Sequence, residues 1–177
     1  IFQVWGYKPV WATDAPPAIY VGANKPQMLA MAARVADNIM LGDITPHHLG
    51  TAVATLDRNF AAAGRRRADV PLSGLVAWHV KADRQTAVAE ARQQLALRGM
   101  LDSWYLRPFL SEEECQFVEA NRGAFFSAYK NNTPEIAGVP DALIDRIIDN
   151  LSCTGSADDI DRHIERLRHF RDLGLSQ

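Results

Sequence analysis

Two cysteines, Cys115 and Cys153, are all that the 177 residues contain. They lie far apart and share no metal-ligand spacing, so both read as reduced thiols of a cytoplasmic protein rather than as a disulfide framework. No apolar run approaches the ~20 residues that span a bilayer, and nothing points to a membrane. An excess of positive charge is missing too. The formal net charge is -2, which argues against a dedicated nucleic-acid binder. The one basic run, Arg65-Arg66-Arg67, reads as a solvated loop after a helix. There is no signal-peptide pattern, internal repeat, low-complexity tract, Walker-type loop, catalytic triad or metal-ligand cluster. The chain opens abruptly on Ile1-Phe2-Gln3-Val4-Trp5 without an initiator methionine, as if cut from something longer.

What is present is a globular composition, 47% hydrophobic and 23% charged, in a chain long enough for one domain with a substantial core. Residues 17–43 organise it. Ala18 to Val21 is a short apolar run behind two prolines, which suits a buried strand. Gly22-Ala23-Asn24-Lys25 is a turn without bulky side chains. Pro26 opens an alanine-rich helix, whose stripe falls at Met28, Leu29, Ala32, Ala33 and Ala36. Ile39-Met40-Leu41, closed by Gly42, is a second strand. Strand, helix and strand with almost no loop between them form the βαβ unit of parallel sheets. The glycine turn at the end of the first strand can bring amides and a helix start close to an anion.

Residues 1–15 read as an irregular approach, with a short strand at Phe2 to Trp5. After the βαβ unit, Thr45-Pro46 marks a helix start, with Leu49, Val53, Leu56 and Phe60 as its stripe and Gly64 as its stop. Pro71 to Lys81 reads as a third strand, poor in polar residues and therefore buried on both faces. Asp83 caps the next helix, which turns Val88, Ala91 and Leu95 inward and stops near Gly99. Residues 1–99 are thus βα units. Residues 100–151 carry no strand signal and form a helical insertion rich in aromatics: Trp104, Tyr105, Phe109, Phe117, Phe125, Phe126 and Tyr129. Glu112-Glu113-Glu114 is a helix-start charge run favoured by the dipole. Pro140-Asp141 starts a helix with Leu143, Ile144, Ile147 and Ile148. Residues 152–177 are a final helix region, with a Ser156–Asp159 capping box, a stripe at Ile160, Ile164 and Leu167, and Gly174 as the stop. Three parallel strands do not close a sheet, so the chain is expected to be one domain of a larger α/β fold, incomplete at both ends.

Ala18-Ile19-Tyr20-Val21-Gly22-Ala23, Pro26-Gln27-Met28-Leu29 and Ala32-Ala33-Arg34-Val35-Ala36-Asp37 resemble the fifth-strand segment of luciferase-like monooxygenases. Within that superfamily they are most similar to the deazaflavin-dependent, methylene-tetrahydromethanopterin reductase-like branch. Val139-Pro140-Asp141 and Cys153-Thr154-Gly155-Ser156-Ala157-Asp158-Asp159, with the helix that follows, resemble that family's C-terminal region. The resemblance implies a (β/α)8 TIM barrel of which this chain supplies strands five to seven and the helical insertion, without strands one to four and eight. It implies a flavin- or deazaflavin-dependent oxidoreductase moving a hydride between the cofactor and a small organic substrate. The cofactor is coenzyme F420, with FMN as the alternative. The implied partners are the remainder of its own barrel and a second copy, as a homodimer.

Carried over by position, the cofactor-binding residues are Val21, Gly22, Ala23, Asn24 and Lys25, with Leu41 and Gly42 beside them. The family often has glycine where this chain has Asn24 or Lys25, and glycine at Asn38. Asparagine tolerates a left-handed backbone, so the turn can survive, and Lys25 adds a cation near an anionic tail. Among the histidines, His79 is the candidate for a catalytic role, late in a strand where barrel enzymes place site residues. Its plain alternative is a hydrogen-bonded structural histidine. His47 and His48 are expected to face solvent or the rim of the mouth. The rival readings are a non-catalytic half-barrel interaction module, and a different barrel enzyme that uses the same turn for a phosphorylated substrate.

Overall fold

The computed structural model describes residues 5–6, 17–97 and 101–176. The expected strand at Phe2 to Trp5, most of the approach segment and the helix stop at Gly99 lie outside them. The described elements run β1 (Tyr20–Gly22), α1 (Pro26–Val35), β2 (Asn38–Leu41), α2 (Pro46–Ala62), β3 (Leu72–Gly74), β4 (Ala77–Val80), α3 (Arg84–Gln94), α4 (Ser103–Leu106), α5 (Glu112–Ala120), α6 (Arg122–Lys130), α7 (Asp141–Leu151), β5 (Ser152–Gly155) and α8 (Ile160–Asp172). Every strand pair is parallel. β1, β2 and β3 form one sheet in that order, with Val21 beside Ile39 and Ile39 beside Leu72. β4 and β5 form the other, with His79 beside Thr154.

Local signals held where one residue suffices. Pro26 occupies the first turn of α1, and Thr45 caps α2 by accepting from His48 N. Gly64 takes a left-handed φ of 65° just past that helix. Asp83 accepts from Thr86 N at 2.8 Å. Ser156 and Asp159 make the expected reciprocal capping box, and the structure adds a second between Ser111 and Glu114, where the sequence reads only a charge run.

The expected third strand is two. β3 pairs with β2, β4 pairs with β5, and Leu75 and Val76 lie between them. The chain changes partner there, β3 lying beside β2 and β4 beside β5. Nor is it buried on both faces: Ala77 and His79 are buried, whereas Trp78 is 46% exposed.

A further strand, β5, stands at the head of what the sequence presents as a final helix region. Its four residues are all buried. Apolar patterning missed it because Ser152 and Thr154 satisfy each other: their hydroxyls are 2.7 Å apart, and Ser152 Oγ donates to Ile148 O at 2.8 Å.

The arginine run is a solvated loop only at Arg66. Arg65 donates to Ala33 O and Ala36 O, satisfying carbonyls at the end of α1. Arg66 pairs with Asp69, and Arg67 donates to Gly174 O at 2.7 Å.

The core has two parts. One gathers α1, α2 and the first sheet, with Phe170 of α8 inserted. The other gathers α3, the insertion helices and α7, whose Leu143, Ile144, Ile147 and Ile148 are buried as expected. In α8 the inward residues are His163 and Phe170, while Ile164 and Leu167 are 37% and 39% exposed. Tyr20 of β1 and Met28 and Val35 of α1 are likewise exposed. Met28 therefore leaves the buried stripe.

Candidate cofactor site

β1 and β2 end side by side, and the segments that leave them enclose a cavity of about 460 Å³. Gly22, Ala23, Asn24, Lys25 and Gly42 line it, five of the residues expected from sequence. Leu41 is buried behind it, against a narrow void shared with Asn24, Gly42 and His48. Val21 does not reach the cavity; it packs against the first core. Four further residues complete the wall: Met28, Met40, Asp102 and Tyr105. Met40 could have been found, since it alternates with the buried Ile39 and Leu41 and so faces the other way. Asp102 and Tyr105 come from the insertion, and no local pattern places them there.

One side chain ties this wall together. Asn24 Oδ1 accepts from Gly42 N at 2.8 Å, and Asn24 Nδ2 donates to the Tyr105 hydroxyl at 2.7 Å. The Tyr105 hydroxyl in turn reaches Gly42 O at 3.4 Å. Asn24 does not have a left-handed φ, and neither does Asn38; among the described non-glycine residues only Asp43 and Asn132 do. The two departures from family glycine therefore act through their side chains. Asn38 is buried and accepts from Ser73 Oγ at 3.0 Å, linking β2 to β3. Lys25 stands 3.8 Å from Asp102, and both are well exposed.

His48 is buried, contrary to the expectation that it faces solvent, whereas His47 is exposed. His48 Nε2 lies 2.8 Å from Trp104 O. A carbonyl only accepts, so Nε2 carries the proton; Nδ1 then accepts from the Thr45 hydroxyl at 2.7 Å. The neutral ring packs on Trp104, with centroids 4.0 Å apart, and next to Tyr105. It thereby fixes α4 over the start of α2.

Burial lowers the pKa of His48, against the raising effect of the Trp104 carbonyl. Burial also lowers that of His163, helped by Arg162. A histidine depressed in the folded state takes up its proton on unfolding. Its cost is therefore absent above the ordinary value of 6.5 and grows as pH falls below it. Thermal melts at about pH 7.5 and about pH 5.5 are expected to differ by a few degrees, the acid sample melting first. The depressed carboxylates Glu90, Glu114 and Asp159 add their loss only at lower pH. Equal melting temperatures at the two values would contradict this account.

The structure does not bring His79 to the cavity. Its Nδ1 lies 2.9 Å from Glu90 Oε1 on α3, and Lys81 holds the other oxygen of Glu90 at 2.6 Å. That hydrogen bond is what the plain alternative in the sequence reading expects of His79. A larger groove of about 660 Å³ between α5 and α7 lies away from these strand ends, and its Arg146 and Glu114 pair with each other. Both cysteines are free and buried. Among the described residues no cluster could hold a metal, and no helix is long and apolar enough to cross a membrane.

The cavity combines open space, an apolar wall and a cation. A Cβ added at Gly22 would meet nothing within 4 Å, so the glycine leaves open space. Met28 and Met40 offer apolar wall, Lys25 a cation, and the first turn of α1 amides without intrahelical acceptors. The amides of Ala23 and Gly42 are already used, on Met40 O and Asn24 Oδ1.

A family described as luciferase-like monooxygenase matches residues 6–177. The 5,10-methylenetetrahydromethanopterin reductase of Archaeoglobus fulgidus is 30% identical over 179 aligned positions, which take in all of this chain and 51% of that protein. The chain thus spans about half the length of this curated relative. The coenzyme F420-dependent tetrahydromethanopterin reductase of Methanopyrus kandleri superposes with a TM-score of 0.65 at 20% identity, over 90% of this chain and 43% of that one. An F420-dependent secondary alcohol dehydrogenase, solved with an F420-acetone adduct, gives 0.56 at 18% identity, over 92% and 42%. At these identities the two solved structures establish the fold, an α/β arrangement forming part of a (β/α)8 barrel.

Proposed function

The chain belongs to the luciferase-like monooxygenase family, and we propose that it is the cofactor-holding part of an oxidoreductase that uses coenzyme F420. The observation that carries this reading is the cavity where β1 and β2 end. It gathers Gly22, Ala23, Asn24, Lys25 and Gly42, which the fifth-strand resemblance nominates for the cofactor. The C-terminal ends of parallel barrel strands are where such enzymes place their sites. In this reading Gly22 and Ala23 let the ring approach the strand ends, Met28 and Met40 exclude water from one face, and Lys25 with the start of α1 holds the anionic tail. The deazaflavin, when bound, supplies the hydride chemistry. The exposed apolar residues Tyr20 and Val35, with Ile164 and Leu167, are the seats for the rest of the barrel.

Titration of the full-length polypeptide with F420 and with FMN, followed by cofactor fluorescence, tests the reading. F420 is expected to bind at least about tenfold tighter than FMN, a difference of ~1.4 kcal/mol. Tighter FMN binding would make this a flavin enzyme. Binding of neither would leave the interaction module or the phosphorylated-substrate enzyme in its place.

A further inference from the structure

The Tyr105 hydroxyl has one proton, and the surrounding geometry decides where it cannot go. Asn24 Oδ1 is held by Gly42 N, so the amide end of Asn24 is the end facing Tyr105. The phenol oxygen is therefore an acceptor in that contact, at 2.7 Å. Its proton is left with Gly42 O at 3.4 Å, at the long limit of a hydrogen bond. The ring itself is fixed: Tyr105 is 6% exposed, packed edge-on against Trp104 and beside His48. A rigid phenol in a cavity wall, with a strong acceptor contact and a weak donor contact, is set up to donate to something inside the cavity.

We propose that Tyr105 is a cofactor-binding residue whose hydroxyl donates to a phosphoryl oxygen of the tail, with Asn24 as the positioning residue that turns the proton toward it. This rests on the cofactor reading of the cavity and extends it to the helical insertion. A phosphoryl oxygen is the stronger acceptor, so it displaces the long contact to Gly42 O. Asp102, which also lines the cavity, does not compete for the proton: one of its oxygens accepts from Trp104 N at 2.9 Å and the other faces Lys25. Burial, reinforced by the charge of Asp43, raises the pKa of the phenol and keeps it protonated at neutral pH.

Tyr105→Phe keeps the ring and its packing and removes the hydroxyl alone. The full-length variant is titrated with F420, with FMN and with riboflavin, which lacks the phosphoryl group, beside wild type and Gly22→Leu. Affinity for F420 and FMN is expected to fall about tenfold while that for riboflavin is unchanged. An equal loss for all three ligands overturns the proposal, because the tyrosine then acts through packing. Unchanged affinity in Tyr105→Phe together with a large loss in Gly22→Leu overturns the role of Tyr105 and leaves the site standing. Unchanged affinity in both variants overturns the site and the proposal together.

Discussion

Gly22→Leu is expected to weaken cofactor binding by about a hundredfold or more, close to ~2.7 kcal/mol, while the protein melts within a degree or two of wild type. Gly22 ends β1, lines the cavity and does not have a left-handed φ. A Cβ there meets no atom within 4 Å, so the side chain leaves the backbone into open space. A leucine in a strand is also better accommodated than a glycine. Whatever occupies the cavity meets the new side chain instead. Gly42 makes the contrast: a Cβ there would come within 3.3 Å of Asn24 Nδ2, which must then give way. Gly42→Ala should therefore disturb the Asn24–Tyr105 contact as well as the cavity. A Gly22→Leu protein with unchanged cofactor affinity would remove the cavity from consideration.

The largest stability effect is expected at Gly155. A Cβ there would lie 2.7 Å from Cβ of Asp159, and closer still to its carboxylate. That carboxylate cannot swing aside freely. It accepts from Ser156 N at 2.9 Å in the capping box and receives Arg84 at 3.0 Å from the start of α3. Gly155→Ala must break the cap or move β5, which is hydrogen-bonded to β4. Overpacking and a lost cap together cost about 2–4 kcal/mol, measured as a shift of the denaturant midpoint at constant slope. Asp159→Ala alone should lose the cap and the exposed Arg84 pair without any clash, about 1–2 kcal/mol. Equal losses in the two variants would show that the clash relaxes without consequence.

How much of this was legible depended on distance along the chain. The Thr45-Pro46 start, the Gly64 stop and the Ser156–Asp159 capping box are contacts within a few residues, and the sequence states them directly. The same holds for the βαβ unit, whose turn the family resemblance nominated for the cofactor. Contacts between remote residues left no such trace. Asn24 and Tyr105 are 81 positions apart, so the asparagine read as a tolerated glycine substitute when it is the clamp of the cavity wall. His48 looked like a surface residue of a first helical turn until Trp104, 56 positions on, covered it. β5 hid because two hydroxyls solvate each other inside the protein, and the split of β3 from β4 follows from which neighbour each half meets. His79 stood late in a strand, as a site residue would, but the helix it faces supplies a glutamate partner instead.

Arg67 joins to Gly174 across 107 positions, and Leu72 N reaches Ser176 Oγ across 104. Ser176 N returns the contact to Leu72 O at 2.8 Å, while Phe170 fills the first core. The consequence is a sealed edge: with Ser176 on both backbone groups of Leu72, β3 offers no template there to a foreign strand. Ser176→Pro removes the returning N–H and should make the protein aggregate sooner on heating.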